Sequence, residues 1–125
     1  MAAEEKYQKT AGTFVAVLLH SSTIAHFLHL QSKSYSEHKA LGNYYDAIIG
    51  LADRYAEAFQ GAYSVIDKYP SDFHSPAKQP VQYIEKIKEF VDASRKSLPD
   101  DALQSIIDEI VELLESTLYK LRNLK

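Results

Sequence analysis

Four side chains able to bind a metal recur at fixed intervals in the first half of the chain: His26, His38 twelve residues on, Asp53 fifteen further, and Glu57 four beyond that. Imidazole nitrogen and carboxylate oxygen together suit divalent first-row metals, and a mixed set that leaves positions open suits iron that must meet an oxidant. Asp53 and Glu57 stand one helical turn apart, so both can reach the same ion. Asp46 and His29 are auxiliary candidates, although the plainer reading of His29 is a partly buried histidine near the core. His20 and His74 have no partner at metal spacing and read as structural. Each candidate alone is ordinary, because a lone helical histidine or an acid pair one turn apart is commonly just surface. The joint spacing is what points to iron.

Composition narrows the field. A length of 125 residues with 46% hydrophobic and 25% charged side chains makes one domain, residues 1–125, with a single modest core. The formal charge of -3 gives no basic field to attract a phosphate backbone, so DNA is not an expected partner. Absence of cysteine excludes disulfides and thiolate chemistry and fits a cytoplasmic location. The N-terminus lacks a basic leader, and the apolar run from Phe14 to Leu19 is broken by His20 and Ser21, so neither signal peptide nor membrane span is expected. No Gly-rich phosphate loop, nucleophile elbow or zinc-protease motif is present.

The elements that must carry these residues are helical, since periodicity near 3.6 dominates and no alternation of period two appears. An all-α four-helix bundle is expected. The first helix runs from roughly Lys6 or Gly12 to Ser32, with Phe14, Val17, Leu18, Ala25 and Leu28 on one stripe. A second stripe of Val15, Leu19, Ser22 and His26 implies a further buried face and hence self-association. Ser34 with Glu37 is a capping-box candidate opening the second helix, whose core stripe is Leu41, Tyr44, Tyr45, Ile48, Ala52, Tyr55 and Phe59. That helix stops near Gly61 or continues toward the prolines of KYPSDFHSPAKQP. A third helix spans about Pro80 to Lys96. The fourth, about Asp100 to Leu124, carries Leu103, Ile106, Ile107, Ile110, Leu113, Leu114, Thr117, Leu118, Leu121 and Leu124.

On the His, His, Asp, Glu spacing, together with AHFLHL, DRYAEAF and KYPSDFH, the chain resembles the Dps family of mini-ferritins. The resemblance implies a ferritin-like bundle and a ferroxidase site at a two-fold interface. His26 and His38 would come from one subunit, and Asp53 and Glu57 from its mate. It departs from the family at Phe27, often Trp there, at Gln31, often Gly, and at Gly42, often an acid. The connection between the second and third helices is also shorter than the family's. If the second helix ends near Gly61, residues 61–77 can cross back along the bundle; if not, the connectivity must differ.

The resemblance thus implies a protein that binds ferrous iron, or another divalent metal, and oxidises it to the ferric state. Storage would follow if a shell forms, and the partner would be the protein itself as homodimer or larger shell. A second expectation is a non-catalytic helical oligomer or protein-interaction module that has lost full metal binding. A third is DNA protection in the family's manner, against which the short mixed-charge termini weigh.

Overall fold

The computed structural model describes residues 2–70 and 79–125, with side chains from Lys6 onward, and the chain among them is helical with no strand. Helix α1 spans Ala2–Gln31, α2 Tyr35–Ala62, α3 Pro80–Ser94 and α4 Asp101–Asn123, with a single 3-10 turn at Arg95–Ser97 between the last two. The all-α bundle expected from the periodicity is therefore the fold. His74 lies outside the described residues.

Local chemistry sets the helix ends. The Ser34 hydroxyl accepts the Glu37 backbone N–H at 3.3 Å, which satisfies one of the amides left bare at the start of α2. Pro80 opens α3, where its missing N–H costs nothing. Asp100 takes a positive φ of 75° and its carboxylate accepts the Ala102 N–H at 2.9 Å, turning the chain sharply into α4.

Each helix packs on two neighbours: α1 on α2 and α3, and α4 on α2 and α3. Helix α2 returns antiparallel to α1. The register is fixed by Ser21 and Tyr44, whose hydroxyls are 2.7 Å apart, and by Ser22 Oγ donating to the Tyr45 carbonyl at 2.9 Å. Ser21 gives its one hydrogen to the Leu18 carbonyl, so Tyr44 must be the donor to Ser21. Phe14 meets Tyr55 edge-on at 4.9 Å between ring centres and stacks near Phe90 at 6.2 Å. A level near residue 14 of α1 thus matches position 55 of α2 and position 90 of α3.

The connection after α2 decides the topology. Gln8, almost fully buried, donates to Ser64 Oγ at 2.9 Å and to the Val65 carbonyl at 2.7 Å, and accepts the Asp67 N–H at 3.3 Å. Four residues on, the Lys68 carbonyl lies where a Cβ on Gly12 would stand, at 2.0 Å. Only glycine permits that approach. Tyr69 and Pro70 then sit beside Ala16, Leu19, His20 and Thr23. The chain therefore climbs the outer side of α1 before α3 begins, and α3 runs parallel to α2. Helix α2 thus ends at Ala62, as one of the two expected stops had it, and residues 63–70 run along α1 ahead of α3.

The core follows the expected stripes closely. Phe14, Leu18, Ala25 and Leu28 of α1 meet Leu41, Tyr44, Ile48, Ala52, Tyr55 and Phe59 of α2, all buried. Ile84, Ile87 and Val91 of α3 and Leu103, Ile106, Ile107, Ile110, Leu114 and Leu118 of α4 complete it. Val17, Tyr45, Leu113 and Leu121 are only partly covered, and Leu124 is exposed.

One expectation needs correction. Val15 and Ser22 do not wait for a second molecule, because both are buried inside the same chain, Ser22 against α2 through its bond to the Tyr45 carbonyl. Of that second stripe, Leu19 and His26 alone face outward. Within α1, Lys6–Gln31 is long and apolar enough to cross a membrane by length and composition, yet 56% of that window is buried against the other helices. Packing of that face on α2 and α3 uses the buried part of the composition.

Candidate metal centre

Helix α1 ends and α2 begins with a cluster of four rings. His26, exposed, stacks face to face on Tyr45 with ring centres 4.2 Å apart and planes within 10°. His29 stands edge-on to both, 6.0 Å from His26 and 5.3 Å from Tyr45. His38 stacks on His29 at 3.5 Å. The sequence places these rings together for a simple reason: residues 32–34 turn the chain so tightly that the last turn of α1 faces the first turn of α2.

The two stacked histidines also exchange hydrogen bonds. His29 Nδ1 lies 2.6 Å from the His38 carbonyl oxygen, and His38 Nδ1 lies 2.9 Å from the His29 carbonyl oxygen. A carbonyl can only accept, so both Nδ1 atoms carry the proton. The His29 carbonyl belongs to the last turn of α1, where the helix itself supplies no complete set of donors, so His38 helps to cap α1.

Gly42 has a clear use here. A Cβ at this position would stand 3.1 Å from His29 Cε1 and 3.2 Å from His29 Nδ1. An acid one turn after His38 would push into the ring that His38 stacks on. The glycine that stands where the family often has an acid leaves the space that the His29 ring occupies.

The carboxylates lie elsewhere. Asp46, Asp53 and Glu57 are exposed on the outward side of α2, and none of the three forms an ion pair among the described residues. Their neighbour Arg54 turns the other way, to Glu109 of α4 at 2.7 Å. Asp53 follows His38 by fifteen residues on one helix, a rise of about 22 Å. Among the described residues of a single chain, no three His, Asp or Glu side chains converge as a metal site. The histidines gather where α1 ends and α2 begins, and Asp53 and Glu57 lie exposed farther along α2, so a single chain does not bring them together.

Sequence reasoning missed the exchange between His29 and His38 and the part of Tyr45. The available signal was the nine-residue interval from His29 to His38 across a Ser-Lys-Ser turn, which sets two rings opposite each other when the helices pair. Elsewhere, burial pushes the Tyr44, Tyr55 and Tyr83 phenols well above the usual tyrosine range. Tyr44 is held in part against that rise by Ser21, and the Tyr55 hydroxyl is buried with no hydrogen-bond partner among the described residues.

Comparison with known proteins gives two matches. The chain is 30% identical over 114 residues, covering 89% of its own length and 87% of the relative's, to the "Uncharacterized 14.6 kDa protein in mobD-ri intergenic region" of Enterobacteria phage T4. No solved structure matches it. Residues 29–121, from the second ring of the histidine cluster to near the end of α4, match the "Family of unknown function (DUF5856)", and the chain belongs to that family.

Proposed function

We propose that the protein binds ferrous iron between two copies of itself and oxidises it to the ferric state, as a ferroxidase of the mini-ferritin kind. His26 and His38 of one copy would hold the metal with Asp53 and Glu57 of the other. Iron is the substrate. The oxidant is peroxide or oxygen: two ferrous ions and two protons reduce one hydrogen peroxide to two waters, and four ferrous ions and four protons reduce one oxygen molecule to two waters. Carboxylate oxygens favour the ferric product, and sites not filled by protein admit the oxidant.

The observation that carries this reading is the register of α1 against α2. Pairing of Ser22 with Tyr45 and of His29 with His38 sets Asp53 level with Phe14 and Glu57 level with Thr10. An antiparallel two-fold axis crossing α1 near His20 would carry His26 to the level of Phe14 in the second copy, hence to Asp53. The same axis would carry His38, which is level with His29, close to Thr10, hence to Glu57. One operation matches both pairs. The outer surface it would cross, beside Ala16, Leu19, His20, Thr23, Tyr69 and Pro70, is a mostly apolar concavity of about 560 Å³. A two-fold interface buries the same patch on each copy, so an uncharged patch at the axis meets no like charge.

Aerobic addition of Fe(II) to the wild type and to an Asp53→Ala/Glu57→Ala double variant tests the reading. The wild type should oxidise iron well above the rate in buffer and the variant should not; identical rates would remove it.

A second reading is favoured by the exposure of Leu19, Phe27, Leu30 and Ile49 on the outward side. On this reading the bundle is a protein-interaction module with no metal chemistry. An iron-loaded and desalted sample that retains no metal would establish it.

A further inference from the structure

Resting on the ferrous reading above, we propose that His29 is a positioning residue: its backbone carbonyl accepts from His38 Nδ1 and so sets the tautomer whose Nε2 atom takes the metal, while its ring, donating to the His38 carbonyl and stacking on the His38 ring, holds that carbonyl and the His38 ring in place.

Both Nδ1 atoms face carbonyl oxygens, at 2.6 and 2.9 Å, and so both carry hydrogen. In a neutral imidazole the lone pair then lies on Nε2. Metal-binding histidines are ordinarily prepared this way, with the other ring N–H given to a carbonyl or carboxylate. His29 is itself badly placed to share the ion with His38. Their rings stack at 3.5 Å with planes only 21° apart, so the in-plane lone pairs run nearly parallel and do not converge. Tyr45 completes the arrangement by stacking on His26, and its backbone carbonyl is tied to α1 through Ser22. Gly42 leaves the His29 ring room to reach the His38 carbonyl, since a methyl group there would press on the bonded edge at about 3.2 Å from Nδ1. The role differs from that of a ligand, and the difference can be measured.

Substitution of His29 separates the functions of its two nitrogens. The amide introduced by His29→Asn can occupy the region of Nδ1 and still donate to the His38 carbonyl, with nothing in place of Nε2. The longer side chain introduced by His29→Gln reaches the region of Nε2 and leaves the Nδ1 position empty. Nitrogen–proton correlation spectra of the metal-free protein should show the Nδ1-protonated tautomer for His29 and His38. Titration with Co(II) alone, an oxygen-stable probe, should then show His29→Gln binding about 10- to 100-fold more weakly than wild type. His29→Asn should stay within about threefold. Gly42→Ala, which keeps His29, should weaken binding in the same direction with helicity intact by circular dichroism. Loss of Co(II) binding in His29→Asn with retention in His29→Gln would make His29 a ligand and overturn the proposal. So would an Nε2-protonated His38 in the wild type. A wild type that shows the expected tautomers but binds no Co(II) would overturn the ferrous reading itself and this role with it, an outcome distinct from equal binding by all variants, which would overturn the positioning alone.

Discussion

The outer sides of α1 and α4 are built on opposite rules. From Thr10 to Ser32, α1 contains no Asp, Glu, Lys or Arg, and it leaves Leu19, Phe27 and Leu30 exposed, Leu30 at 67%. Helix α4 turns Asp101, Asp108, Glu109, Glu112 and Glu115 to solvent, and ion pairs such as Arg95 to Asp108 and Arg122 to Glu85 tie it to its neighbours. Surface pairs of this kind contribute about 1 kcal/mol or less each, so their value lies in keeping that side wet and unattractive to apolar partners. The contrast teaches where a second copy would dock: the side with no charge is also the side that carries the histidine cluster.

The sharpest way to break that contrast is to put a charge on the uncharged side. If two copies pair through this side as proposed, the wild type should run as a dimer by light scattering and Leu19→Glu as a monomer, whereas Ser105→Glu, on the exposed side of α4, should leave the mass unchanged. Equal effects would mean that the two sides do not differ in function.

Next in size is the crossover that borders the uncharged side. Gly12→Ala places a methyl group against the Lys68 backbone, which cannot swing away as a side chain would, so a loss of about 3 kcal/mol is expected in urea unfolding. Gly50→Ala, at a helical position with open space around it, should instead be neutral or slightly stabilising.

The buried tyrosines give a pH dependence. Tyr44, Tyr55 and Tyr83 have phenols raised by burial above the ordinary value of 10.0, so the folded protein holds protons that the unfolded chain releases first. Their contribution to stability is complete below pH about 10 and falls as pH rises toward the folded-state values. Melting temperatures measured from pH 8 to pH 12 should drop steeply above pH 10, in step with the rise of tyrosinate absorbance; a flat profile would contradict the burial.

The Tyr55 and Tyr44 hydroxyls should respond in opposite directions, since that of Tyr55 is buried with no partner among the described residues. Removing an unsatisfied hydroxyl relieves a desolvation cost of about 1–3 kcal/mol, so Tyr55→Phe should be neutral or stabilising. Tyr44→Phe, which loses the bond to Ser21, should cost about 1 kcal/mol. Thermal melts of the two variants decide the order.

What could be read from the sequence follows from distance along the chain. The four helices and most of the core were legible because a 3.6-residue period repeats within each segment, and α2 gave its stripe with Tyr45 alone displaced, while Ala11, Ile24, Ile66 and Leu98 lay off the expected stripes. Its start at Ser34 was legible because a cap acts over three residues. The course of the crossover was not, since it depends on Gln8 and Gly12 receiving residues 64–68 from more than fifty positions away. The metal candidates were legible as a spacing, and the split between a histidine end and an acid end followed from the rise of a helix. The use of Gly42 was not legible, because the His29 ring beside it belongs to another helix. Val15 and Ser22 were misassigned for the same reason: how much of a helix its neighbours cover is settled by packing, and periodicity marks only the centre of the stripe.

Mixing two inactive variants tests the shared site most directly. One would carry His26→Ala/His38→Ala and the other Asp53→Ala/Glu57→Ala, unfolded together and refolded at equal concentration. With random pairing half the dimers are mixed and half the sites in each are complete, so about a quarter of the wild-type Fe(II) oxidation rate should return. A mixture as inactive as either variant alone, from dimers shown by mass to have exchanged, would contradict a centre built from histidines of one copy and acids of the other.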